Sequence, residues 1–154
     1  MVKISNFANF GGSNSIFVLV YITRIEQFNA AHRIFNPNWS DEKNFQVFGK
    51  CANPNGHGHN YELHVTFKGE INPETGFVVN FDDIKALIRK YVSDELDHKN
   101  LNLDDTFMKG TIPSAENMAV QIWSQLKLNL PESISLHKLT LYETPRNFVE
   151  YYGT

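Results

Sequence analysis

The sequence predicts an α+β fold, an antiparallel sheet with two helices, on three observations. The run Tyr61–Lys68 alternates apolar and polar residues, the period-two signature of a strand with one buried face. Two later segments, from Ile84 and from Ala115, repeat apolar residues at helical spacing. The order along the chain is strand, hairpin, helix, helix, strand pair, with antiparallel pairing and few helices. At 154 residues the chain has the size of one domain. A domain this small has little room for a deep cleft of its own.

The elements follow in order. Residues 1–14 hold a Gly pair and polar residues without periodicity, and read as an N-terminal extension to a single domain over 15–154. Ile16 to about Phe28 is rich in β-branched and aromatic residues and reads as the first strand. Residues 35–56 are dense in Asn, Pro, Gly and Asp, and read as a long loop. Loops of that length inside compact domains are usually functional or disordered. In the next strand Tyr61, Leu63, Val65 and Phe67 face one way. Asn72–Gly76 is turn chemistry, so Phe77–Phe81 is expected to return as a hairpin partner. Asn80 or Asp82 then caps a helix that buries Ile84, Leu87, Ile88, Tyr91, Val92 and Leu96. Ser114 caps a second helix burying Ala115, Met118, Ala119, Ile122, Trp123 and Leu126. Ser135–Glu143, a turn over 144–147 and Phe148–Tyr152 form the closing strand pair.

Composition excludes several classes. Lys plus Arg total 14 against 17 Asp plus Glu, a net charge of −3, which argues against a nucleic-acid footprint. A single cysteine excludes a disulfide-stapled scaffold. The longest apolar run, Ile16–Ile22, is far short of the roughly 20 residues that span a bilayer. No small-residue cleavage site follows it, so no signal peptide is expected. The expectation is a soluble cytoplasmic domain.

The residues with chemistry to offer are histidines, one thiol and a few carboxylates. His57 and His59 sit two apart as the chain enters the Tyr61 strand, so both imidazoles project to one side and can reach one ion. Spacing equally allows a satisfied pair at a strand edge. His32, at the end of the first strand, offers a third nitrogen, although spacing alone does not bring it there. Three His with an open position describe a catalytic zinc site. Cys51 lies in the long loop among Lys50, Ala52, Asn53 and Pro54, which is not a core strip. Its thiol needs a neighbouring cation or metal to become abundant thiolate. Asp97–His98 reads by itself as a pair at a helix end, and alternatively as a proton relay. Glu143 shares strand parity with Leu139 and Leu141, so its carboxylate turns to the apolar face and needs donors there. A guanidine-like ligand edge fits it, as would Arg146 or a lysine. His137 has the same parity and no assigned role, and His64 faces the other way.

Taken together, Phe28–Ile34 (FNAAHRI), Cys51–Tyr61 (CANPNGHGHNY), LDHKNLN, PSAENMAVQIW and YETPRNFVEYYG resemble the 6-pyruvoyl-tetrahydropterin synthase / 6-carboxytetrahydropterin synthase family, in the family's order from Phe28 to Gly153. The resemblance implies the tunnelling fold, with two helices on one face of the sheet and subunits joining sheets into a barrel. A homohexamer, a dimer of trimers with sites at subunit interfaces, is implied with it. It implies Zn2+ held by His32, His57 and His59, and Cys51 as general base assisted by Asp97 and His98. Glu143 becomes the pterin anchor, with Ser114, Ala115 and Glu116 lining the pterin pocket. The implied reaction converts 7,8-dihydroneopterin triphosphate to 6-pyruvoyl-tetrahydropterin with loss of triphosphate. The redox change is internal to the substrate, and no Gly-rich dinucleotide fingerprint is present.

Two alternatives remain at this point. The queuosine branch, 6-carboxytetrahydropterin synthase, uses the same substrate but typically places three residues between Cys and His-x-His. Five stand here, Ala52–Gly56, which resembles the pyruvoyl-forming branch. Outside the family, a zinc-holding pterin-binding protein without elimination activity would have no need of Cys51, Asp97 and His98.

Overall fold

The computed structural model describes residues 18–154. The expected extension over residues 1–14 lies outside the described residues, as do the first two positions of the expected first strand. Five strands form one sheet in the order β3-β1-β2-β4-β5. They are β1 (Leu19–His32), β2 (His57–Glu70), β3 (Lys99–Asn100), β4 (Ile134–Thr144) and β5 (Asn147–Tyr151). All pairs are antiparallel except the short β3, which runs parallel to β1. This is the expected α+β architecture.

One face of the sheet carries the core. Phe28, Tyr61, Leu63, Val65, Phe67, Leu139 and Leu141 pack there against Ile84, Ile88, Val92 and Leu96 from one helical segment and Met118, Ile122 and Leu126 from the other. The first segment comprises α2 (Phe81–Ile88), a π-helical turn (Arg89–Ser93) and α3 (Asp94–Leu96). Its buried residues recur every fourth position, whereas an α-helix turns every 3.6 residues. The wider π turn absorbs that overshoot and keeps all four side chains on the sheet. Asn80 is the cap, its side chain accepting from the Asp82 N–H. The second segment is α4 (Ala115–Lys127).

Three expectations are overturned. Phe77–Phe81 does not return as a strand. A strand has two edges, and those of β2 are occupied by β1 and β4. The turn itself forms, with the Asn72 N–H donating to the Phe77 carbonyl. Val78 and Val79 then pack against the core by their side chains. The Asn- and Pro-rich stretch is not all loop, because it contains α1 (Asp41–Phe48) and a 3-10 turn (Gly49–Ala52). The signal for α1 lay in Ser40 followed by Asp41 and Glu42, a cap with acidic residues in the first turn. Finally, His137 does not share the face of Glu143. Thr66 pairs with Lys138 while Phe67 pairs with Leu136, so His137 is the extra residue of a bulge. Its ring packs instead beside Tyr21, 4.4 Å between centroids. The first strand ends at His32, as expected.

Candidate active site and metal centre

Strand register assembles the histidines. His32 and His57 form the last cross-strand pair of β1 and β2, and Ala30 pairs with His59, so the three imidazoles project from the core face at one end of the sheet. One ring nitrogen from each lies within 4.8 Å of the others, and His32 Nε2 is 3.1 Å from His57 Nε2. His32 is fully buried. Its Nδ1 donates to the Pro113 carbonyl oxygen at 2.8 Å, which leaves Nε2 bare and aimed at its neighbours. A carbonyl accepting from the far ring nitrogen fixes both tautomer and ring orientation. Gly56, at φ +67°, makes the tight approach possible. A Cβ there would lie 2.9 Å from the His32 carbonyl oxygen.

These residues fit a metal ion. His59 Nε2 is buried without a hydrogen-bond partner, a costly state for a polar atom, which a cation among the three nitrogens relieves. Burial pushes His32 down to about 4, with the Pro113 bond opposing and the other two imidazoles reinforcing. His59 is likewise lowered, chiefly by burial. Both are therefore neutral at physiological pH, as ligands must be. The set is able to hold a metal.

Glu143 stands beside this centre. Its Oε1 lies 3.6 Å from both His32 Nε2 and His59 Nε2, and its side chain is half-buried. Neither Arg146 nor a lysine pairs with it among the described residues. A cavity of about 450 Å³ is bordered by Glu143 together with Cys51, Ser114, Ala115, Glu116 and Arg146. Cys51 is exposed on the 3-10 turn. Ser114 caps α4, its Oγ accepting from the Asn117 N–H, so the first turn of that helix meets the cavity at a fixed angle.

Asp97 and His98 do not border that cavity. They close the α3 segment at the β3 edge of the sheet, tied to Asn29. The Asn29 N–H donates to Asp97 Oδ1 at 2.7 Å, and the His98 N–H donates to the Asn29 carbonyl at 2.6 Å. His98 Nδ1 lies 2.8 Å from Asp97 Oδ2, and the His98 ring is largely exposed. The Asn29 N–H, with help from His98, holds the Asp97 carboxyl below its usual range. His98 adopts φ 59°, an uncommon conformation for a residue with a side chain.

The family model for 6-pyruvoyl tetrahydropterin synthase matches residues 21–154. The chain belongs to this family. Among its relatives, the 6-pyruvoyl tetrahydrobiopterin synthase of Homo sapiens is 45% identical over 132 residues, covering 86% of this chain and 90% of that one. The one from Pongo abelii is 46% identical over the same length. The solved structure of Caenorhabditis elegans 6-pyruvoyl tetrahydropterin synthase superposes with a TM-score of 0.82 at 38% identity, covering 90% of this chain and 98% of that one. Three groups at this pterin-synthase site had no signal in the sequence. They are the Pro113 carbonyl, which is backbone, the Tyr61 hydroxyl 3.4 Å from His32 Nδ1, and Arg33, whose Nε donates to the Ala52 carbonyl next to Cys51.

Proposed function

We propose that the chain is a zinc-dependent lyase that converts 7,8-dihydroneopterin triphosphate to 6-pyruvoyl-tetrahydropterin with loss of triphosphate. The observation that carries this reading, in a member of the pterin-synthase family, is one cluster of three imidazoles bordered by a core-face carboxylate and an exposed thiol. His32, His57 and His59 are the zinc ligands in this reading. When bound, zinc supplies Lewis-acid polarisation of the substrate's side-chain hydroxyls.

The chain's own residues do the rest. Glu143 accepts from the ring's 2-amino group and N3–H, a two-donor edge matched to a carboxylate fork. Ser114, Ala115 and Glu116 border the ring. Cys51, as thiolate, takes the side-chain proton, and tautomerisation then reduces the ring as triphosphate leaves. Holding the ring at Glu143 places the reacting carbon beside the thiol, which is where orientation accelerates reaction. Asp97 and His98 relay protons. Because they lie off the Cys51 cavity of their own chain, we assign them to the site of a neighbouring subunit in a homohexamer built as a dimer of trimers. A reactive unpaired thiol suits a reducing compartment, and the enzyme is placed in the cytoplasm.

Glu143→Gln tests the reading. Pterin affinity and triphosphate release are expected to fall sharply while zinc content is kept. Intact turnover in that variant would point to a three-His hydrolase instead. Loss of zinc alone would make Glu143 a fourth ligand. Five residues between Cys51 and His57 favour the pyruvoyl product over the 6-carboxy product of the queuosine branch.

A further inference from the structure

The segment carrying Cys51 is fastened at both ends by one side chain that the reaction does not otherwise use. Arg33 follows His32 directly. Its Nε donates to the Ala52 carbonyl at 2.8 Å, at the end of the 3-10 turn. Its Nη2 donates to Asp41 Oδ1 at 2.8 Å, at the start of α1. The guanidinium thus clasps the first and last residues of the Asp41–Ala52 segment. A second bond reinforces the exit, the Ile34 N–H donating to the Cys51 carbonyl at 2.8 Å.

Arg33 is itself held. Its N–H donates to Asn102 Oδ1 at 2.6 Å, and Asn102 Nδ2 donates back to the Arg33 carbonyl at 3.0 Å. The guanidinium lies over the Phe35 ring, 4.4 Å from its centroid. The Asp41 carboxylate is mostly exposed, and exposed ion pairs contribute little to stability. What the arrangement supplies is geometry. A planar fork can serve two acceptors in fixed directions, which a lysine ammonium on a flexible stem does not reproduce.

We infer that Arg33 is a positioning residue that keeps the Cys51 thiol in register with the His32–His57–His59 centre. The inference rests on the reading of Cys51 as the base. Its short path runs from His32 through Arg33 to the Ala52 carbonyl and so to Cys51.

The test compares Arg33→Lys with the unmodified enzyme at full zinc occupancy. Positioning predicts that kcat falls on the order of 10- to 100-fold, while KM and zinc uptake stay close to their starting values. Hydrogen exchange at the Ile34 amide should accelerate, a readout that needs no turnover. Unchanged kcat in Arg33→Lys, or a loss spread equally over kcat, KM and zinc uptake, overturns the assignment. Should Arg33→Lys fail to fold, Asn102→Ala releases the clamp on the Arg33 backbone and must show the same split, unchanged kcat again overturning it. Cys51→Ala runs alongside. If that variant turns over normally, the base reading fails. If it is dead while Arg33→Lys is fully active, only the Arg33 assignment fails.

Discussion

Three imidazoles packed this closely are unstable company for protons. His32 titrates near 6.5 when unfolded and at about 4 when folded. Between those values the unfolded chain binds a proton that the folded chain refuses. The metal-free protein should therefore lose stability as pH falls through that window, by up to about 3 kcal/mol, and keep it above. Urea titrations across the window measure this, with a shallower fall expected in His32→Gln. At the same scale, Cys51→Ala should abolish triphosphate release while leaving zinc content and melting temperature unchanged. A pterin-binding protein without elimination activity would show no such effect. The His-x-His pair was legible because strand parity alone puts His57 and His59 on one side. His32 was not, since a strand end is brought to another strand end only by register. Asp97–His98 reads alone as a helix-end pair, and the structure keeps it in that place.

At the scale of elements, the site depends on two junctions. The first is the close crossing of Gly56 behind His32. Gly56→Ala should push the backbone apart and also strain a positive φ, costing about 1 kcal/mol or more and weakening zinc affinity together with stability. Chelator competition and thermal melts report the two. The second junction is the Ser114 cap. Ser114→Ala should cost about 1 kcal/mol and raise KM for the pterin, because the helix turn bordering the cavity loses its anchor. Strands β1, β2, β4 and β5 and the two core helices were readable from composition and periodicity, whereas the two-residue β3 and the π turn were not. The hairpin expectation at Phe77–Phe81 failed because local turn chemistry does not reveal which sheet edges are already taken. His137 was misplaced for a related reason: one bulge residue inverts every parity argument beyond it. Helix α1 was hidden by the Asn and Pro content around it.

For the molecule as a whole, a small domain that seemed to lack room for a cleft has a cavity open along its rim, and carries Asp97 and His98 away from it. That distribution makes sense if neighbours complete each other's sites. Two inactive variants, Cys51→Ala and His98→Ala, should then recover activity when unfolded and refolded together. Random mixing would restore about a quarter of the sites, whereas no recovery would place all the groups in one chain. Gel filtration of the active enzyme at monomer mass would contradict the hexamer. The most direct test is to incubate the zinc-loaded protein with 7,8-dihydroneopterin triphosphate and identify the products by mass. The account predicts 6-pyruvoyl-tetrahydropterin and inorganic triphosphate, and a 6-carboxy product released with acetaldehyde would contradict it.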